Sequence, residues 1–285
     1  MILEHARGTV DLDHCLVMGI VNRTPDSFFD GGRLGLDASV EFALGLVAEG
    51  AEILDLGAVK AGPGAEVGEG GELDRLIPLV AAVAAASDVP ISVETARGSV
   101  VSAAVESGAA IVNDVSGLAD PGLAAAVAES GAALVVMHNG GQIRGRPRHP
   151  VYEDIVVDVL ECWETLTTEA LAAGIPRERI VVDAGLDFGK TTFHSLELMR
   201  RLDEQVATGW PVLVAPSRKD VVGETLELPL EERLEGSLAL AALAAYMGAA
   251  IVRVHDVKAS ARAVRMAESV SRRRSPGSPV RGLWD

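Results

Sequence analysis

The segments "EGAEILDLG", "SGAAIVNDV", "SGAALVVMH" and "MGAAIVRVH" share one arrangement, Gly-Ala followed by a short run of apolar and largely β-branched residues. No other feature restricts the fold as strongly. A glycine in that place stops a helix in the left-handed conformation. The run behind it is continuous, the mark of a strand covered on both faces. The repeated unit is therefore helix, tight turn, parallel strand, which predicts a parallel α/β architecture.

Eight runs qualify as strands: residues 16–21, 53–57, 90–93, 110–112, 133–137, 180–182, 211–215 and 250–252. Stretches rich in Ala, Leu and Glu separate them, and Asp120-Pro121 reads as a helix start, a cap followed by Pro. Eight strands with helices between them in 285 residues predict a (β/α)8 TIM barrel. An open doubly wound sheet is the alternative. The chain shows no domain boundary, so one domain over 1–285 is expected, with a loose tail from about 270, "SRRRSPGSPVRGLWD".

Hydrophobic residues make up 48% of the chain but aromatics only 4%, so the interior must be built of Ala, Val and Leu. The net charge of −16 argues against a duplex nucleic-acid partner, which needs a basic face. It also means that an anionic substrate must be caught by local cations against the global field. Two cysteines, Cys15 and Cys162, form neither a disulfide framework nor a C-x-x-C pair. The longest apolar run, 238–252, is interrupted by Gly248 and falls short of the ~18 residues of a membrane span. No charged start followed by an apolar region marks a signal peptide. A cytoplasmic protein is expected.

The residues at the strand ends carry the chemistry. In order they are Asn22, Asp55, Glu94, Asn113, His138, Asp183, Ser217-Arg218-Lys219, and Arg253 with His255. One strand-end Asp is more often a helix cap than a catalyst. A barrel brings all of these ends to one face, where active sites sit. Carboxylates, amides and cations around one cavity suit a flat, hydrogen-bonding heterocycle bearing an anion.

These residues lie in motifs that resemble the dihydropteroate synthase family of pterin-binding barrels, nearly end to end from Met18 to Val257. "MGIVNRTPDSFFDGG" is similar to the family's first loop motif, and "ISVET" and "IVNDVSG" to its third and fourth strand motifs. "VVMHNGG", "VVDAGLDFGKT", "SRK" and "GSLA…GAAIVRVHDV" resemble its later signatures. The resemblance implies that pyrophosphate leaves the exocyclic methylene of a dihydropterin while p-aminobenzoate adds there. It implies Mg²⁺ as cofactor, with Asn22 beside the metal and pyrophosphate. Asn113, Asp183 and Lys219 would hold the pterin, with Glu94 standing where the family has Asp. Arg253 and His255 would bind pyrophosphate. Phe28, Asp30 and Gly31 would lie in the first loop, and Phe188 would line the p-aminobenzoate slot. A homodimer is also implied. The physics agrees: a carboxylate such as Asp183 accepts parallel N–H donors in a fork, and Arg253 offers a bidentate grip to phosphate.

The chain departs from the family in specific places. After the second strand the family runs Asp-Ile-Gly-Gly-Glu-Ser-Thr-Arg-Pro-Gly, whereas here it runs from Asp55 to Gly64 with Lys60, Ala61, Gly62 and Pro63. The family's Thr and Arg close over the substrates. Lys60 comes two residues early and lacks the planar fork of Arg, which leaves open partial substitution or a solvated lysine. After "SRK" the family has Ser, and here Asp220 would face the carboxylate of p-aminobenzoate at a cost of roughly 1–4 kcal/mol. Glu94 for Asp shifts the oxygens by about an ångström, a misplacement that can cost about 100-fold in rate. Ala184 and Asp187 alter the Pro-Gly-x-Gly motif, and Arg23 replaces a small apolar residue. "VKAGPG" and "KDVVGETL" are similar to the divergent second synthase of actinobacteria, a branch regarded as lacking ordinary activity. The expectation is a pterin-binding protein that handles p-aminobenzoate poorly. The alternatives are a binding-only paralogue, an enzyme using a different amine, or a methyl-transfer domain that would not need Arg253 and His255.

Other signals are set aside. Asp187-Phe188-Gly189 lacks the companion motifs of a kinase. The six histidines lack metal-ligand spacing. Arg144, Arg146 and Arg148 read either as a solvated loop or as an attractor for an anionic substrate.

Overall fold

The computed structural model describes residues 1–22, 35–59, 67–141 and 150–281. The chain starts with an antiparallel hairpin of β1 (Ile2–His5) and β2 (Gly8–Asp11). Eight parallel strands then close into a barrel: β3 (Leu16–Asn22), β4 (Ile53–Gly57), β5 (Ile91–Glu94), β6 (Ile111–Asp114), β7 (Ala133–Met137), β8 (Ile180–Asp183), β9 (Val212–Val214) and β10 (Ile251–Val254). Neighbours follow chain order, and β10 closes the ring by pairing Ile251 with both Leu213 and Leu16. The open sheet is thereby excluded.

The helices between the strands are α1 (Leu36–Glu49), α2 (Glu69–Ala86), α3 (Gly98–Glu106), α4 (Leu123–Ser130), α5 (Ile155–Ala172), α6 (Thr192–Arg200), α7 (Leu202–Val206), α8 (Asp220–Leu226) and α9 (Leu234–Met247), with α10 (Val257–Val270) after the last strand. Gly50, Gly108, Gly131 and Gly248, the glycines of the repeated segment, all have φ between +74° and +120°. The helix stops are thus where the pattern places them. The expected helix start at Asp120-Pro121 is corrected: α4 begins at Leu123. The Asp120 carboxylate instead accepts from Gly98 N at 2.7 Å, at the head of α3, and from Gly122 N at 2.9 Å. A capping side chain is spent on the neighbouring helix because Gly98 lies against the Gly122 backbone, too close for a Cβ.

Strand residues alternate between two cores. Val17, Leu54, Leu56, Val93, Val112, Val136, Val182, Val214, Val252 and Val254 point outward against the helices. Leu16, Met18, Ile53, Ile111, Val135, Val181, Leu213 and Ile251 point inward. The hairpin, absent from the expected strand set, covers one end of this inner core with Leu3, and Leu12 follows it. Further along the same inward positions the residues turn polar: Asp55, Ser92, Glu94, Asn113 and Asp183 are all buried. Both strand faces are covered, which is why the runs read as continuous in sequence.

Candidate active site

The inward polar layer is organised around Arg253 on β10. Its Nε donates to Asp55 Oδ2 at 2.6 Å, and its Nη2 donates to Glu94 Oε2 at 2.6 Å. Asp55 also accepts from Ser92 Oγ at 2.6 Å and from Asn113 Nδ2 at 3.2 Å. Asp55 therefore lies inside the barrel, in the middle of β4, and does not end its strand. Such a buried cluster is tolerated only because each charge has a partner. Burial pushes the Glu94 carboxyl up to about 7 even though Arg253 pulls the other way, and Asp55 adds like charge. Arg253 is held charged by its two carboxylates, which outweigh its burial.

Asp183 closes the layer from β8. Its Oδ1 accepts from Gly185 N at 2.7 Å, and burial raises its pKa against the pull of Lys219. Lys219 precedes α8; its Nζ donates to Leu186 O at 2.6 Å and stands 5.0 Å from the centre of the Phe188 ring. Burial lowers the Lys219 pKa, opposed chiefly by Asp183. His255 lies one step beyond Arg253, its Nδ1 3.1 Å from Ser217 Oγ. Burial and the charge of Arg253 push its pKa down to about 4, which favours the neutral ring near pH 7. Asn22 ends β3 opposite Gly57, where a Cβ would come within 3.1 Å of the Asn22 Oδ1.

The loops after β8 and β9 form an adjoining wall. Asp187, at φ +67°, joins them: Oδ1 accepts from Ser195 Oγ at 3.0 Å and Oδ2 from Val221 N at 3.1 Å. Asp tolerates the left-handed conformation better than most residues. Asp220 is ion-paired with Arg233 Nη1 at 3.0 Å. The carboxylate repulsion expected at this position is therefore reduced, though not removed, by a cation of the fold. Arg218 forks onto Asp256 at 2.7 and 2.9 Å, and its carbonyl accepts from Arg233 Nη1 at 3.0 Å.

Glu94, Asn113, Asp183, Lys219, Arg253 and His255 thus converge on one end of the barrel, joined by direct bonds or by mutual electrostatic influence. Phe28, Asp30, Gly31, Lys60, Pro63, Arg23 and the arginines at 144, 146 and 148 lie outside the described residues. Sequence reasoning missed Asp55 and Ser92 as partners of the layer, Arg233 as the partner of Asp220, and Lys190. Period-two alternation along β4 and β5 places Asp55 and Ser92 inside. The pairing of Asp220 with a residue 13 positions away left no sequence signal.

Fold and geometry together define a class: a TIM barrel whose strand ends gather acids, amides and cations at one end. The pterin binding enzyme family matches residues 18–255, and the chain belongs to it. It is 47% identical over 278 residues to the inactive dihydropteroate synthase 2 of Mycobacterium tuberculosis (strain ATCC 25618 / H37Rv), covering 95% of this chain and 87% of that protein. It is 41% identical over 267 residues to the dihydropteroate synthase of Escherichia coli (strain K12), covering 93% and 95%. Among solved structures, the Yersinia pestis dihydropteroate synthase with a sulfonamide drug superposes with a TM-score of 0.92 at 37% identity, covering 96% of this chain and all of that one. The family and the barrel expected from sequence are both borne out.

Proposed function

We propose that this chain, as a single pterin-binding domain, binds 6-hydroxymethyl-7,8-dihydropterin pyrophosphate and acts as a dihydropteroate synthase-type transferase with lowered turnover on p-aminobenzoate. The carrying observation is the convergence of Asp183, Asn113, Glu94, Lys219 and Arg253. In this reading Asp183 and Asn113 fix the aminopyrimidine edge, Lys219 leaves Leu186 O for a ring acceptor, and Glu94 holds Arg253 at the rim. Arg253, with neutral His255 and Asn22, faces pyrophosphate. Localised donors there stabilise charge as the C–O bond to the methylene breaks and the amine nitrogen bonds to that carbon. No covalent enzyme intermediate is needed. Asp30 belongs to the catalytic set through the first loop, and Phe28, Lys60, Pro63, Phe188 and Asp220 to the amine side.

Mg²⁺ is part of the proposal. Among the described residues no group of three His, Cys, Asp or Glu suits a metal ion. A single amide oxygen, Asn22 Oδ1, does fit Mg²⁺, which keeps waters and substrate phosphate as its main ligands. When bound, the ion neutralises charge on the leaving pyrophosphate.

A binding-only role is the second reading, favoured by one observation: Asp55 and Glu94 already accept from Nε and Nη2 of the Arg253 guanidinium. Pyrophosphate release across a panel of amines separates the two. Slow release with p-aminobenzoate, or faster release with another amine, supports the transferase. No release with any amine, when pterin pyrophosphate binds, leaves binding alone. We also propose a homodimer, supported by exposed Phe193 on α6, Leu226 on α8 and Tyr246 on α9, and testable by light scattering. A cytoplasmic setting is supported by two unpaired cysteines. No helix among the described residues is long and apolar enough to cross a membrane.

A further inference from the structure

Lys190 is buried, yet it plays no part in the mechanism above. It follows Gly189, at the end of the loop after β8. Its Nζ lies 2.7 Å from His138 Nδ1, 3.0 Å from His138 O and 2.9 Å from Phe188 O. An ammonium has three N–H donors, and here each has one acceptor. His138 and Phe188 stand on different loops, after β7 and after β8. The two loops are in backbone contact: a Cβ on Gly185 would overlap His138 O, and one on Gly189 would come within 2.6 Å of Asn139 O. Tyr152 adds a bond from its hydroxyl to Gly189 O at 2.7 Å. The tethered segment carries Leu186 O, which receives Lys219, and the Phe188 ring beside Lys219.

We propose that Lys190 is a positioning residue for the pterin site, its ammonium fixing the loop after β8 against the loop after β7 so that Asp183, Phe188 and Lys219 keep their mutual geometry. This rests on the pterin reading above and deepens it.

The proposal has a pH consequence. Burial lowers the Lys190 pKa to about 7. Asp183 on β8 and Asp187 on the same loop act to raise it, Lys219 before α8 lowers it, and Cys162 on α5 raises it. His138 at the end of β7 is itself driven to about 3 by burial and by Lys190, so its ring is a neutral partner, and burial and Lys190 also lower His194 on α6. While Lys190 is charged, His138 Nδ1 must accept, and the ring proton sits on Nε2. Once Lys190 is neutral, only two donors remain for three acceptors, unless the His138 proton moves to Nδ1. The tether is complete below pH 7 and weakened above it. Glu94 titrates in the same range, so the wild-type profile alone does not identify the group.

The test is the dissociation constant of the pterin pyrophosphate from pH 5.5 to 9 (approximate limits about 1.5–2 units either side of the Lys190 value) for the wild type, Lys190→Met and Lys190→Arg. Thermal unfolding establishes that each variant is folded. The expected result is roughly tenfold or greater weakening in Lys190→Met below pH 7, loss of the alkaline decline, and partial recovery in Lys190→Arg. Unchanged affinity and an unchanged profile in folded Lys190→Met overturn the proposal and leave the pterin reading intact. No binding by the wild type overturns that reading, and this one with it. Should Lys190→Met not fold, ¹³C labelling of lysine side chains in the wild type decides. A Lys190 signal titrating near the alkaline decline in affinity supports the tether as its cause, and one titrating above pH 10, the ordinary lysine range, overturns the pH dependence drawn from it.

Discussion

The interior polar layer and the wall after β8 and β9 both collect acids, but they neutralise them differently. In the interior, Asp55 and Glu94 share one guanidinium, that of Arg253. In the wall, Asp220 is answered by Arg233 and Asp187 by Ser195 and the Val221 amide, groups that belong to the surrounding helices. The interior cation meets its two carboxylates through Nε and Nη2, and neither pair involves Nη1. The wall is compensated within the fold, and in the proposed reading it is the side that meets the amine. The interior is thus balanced by one shared cation, and the wall by separate local partners.

The largest expected effect comes from removing the shared cation. Arg253→Met leaves two buried carboxylates without a counter-charge and should lower stability by about 3–5 kcal/mol near neutral pH, measured by urea unfolding. An effect under ~1 kcal/mol breaks the picture of a self-compensated interior. In the wall, Asp187→Ala loses bonds to Ser195 and Val221 N, and leaves Ala at φ +67°. It should lower stability by about 1–3 kcal/mol and raise the apparent KM for amine more than the affinity for pterin. Equal damage to both would mean that the two regions are not separate.

Glu94 sharpens the comparison through pH. Burial carries its carboxyl from an ordinary 4.5 to about 7. Between those values the folded chain retains a proton that the unfolded chain has released. Stability from this group is complete below 4.5 and is lost as pH rises towards 7, with a slope of at most about 1.4 kcal/mol per pH unit. Glu94→Gln should flatten that slope in unfolding curves collected across the window. The smallest stability change belongs to Asp220→Ser. The pair with Arg233 is partly exposed, so the change should stay within about 1 kcal/mol, while pyrophosphate release with p-aminobenzoate rises. A fall in that rate would show that Asp220 serves the amine directly.

The interior was legible in part: Glu94, Asn113, Asp183 and Arg253 stood out as strand-end residues, whereas Asp55 was read as a strand end and Ser92 went unnoticed, although strand geometry writes both into the inner layer. Alternation along β4, β5, β6 and β8 places Asp55, Ser92, Glu94, Asn113 and Asp183 on the inner side once the barrel is inferred. The wall was not legible. Arg233 meets Asp220, and Asp187 meets Val221, through loops whose paths no periodicity records. The hairpin β1–β2 was also missed, because its short polar–apolar strands carry none of the Gly-Ala signal that marks the barrel. Lys190 drew no notice because its partners, a neutral imidazole and two carbonyls, leave no charge pattern.

The central claim is that Asp183 and its neighbours hold a pterin. Calorimetric titration of the wild type and Asp183→Asn with 6-hydroxymethyl-7,8-dihydropterin pyrophosphate tests it most directly. The account predicts saturable binding at one site per chain in the wild type, weakened at least about tenfold in Asp183→Asn, which keeps only one acceptor oxygen. No heat of binding in the wild type, or equal affinity in the two proteins, would contradict it.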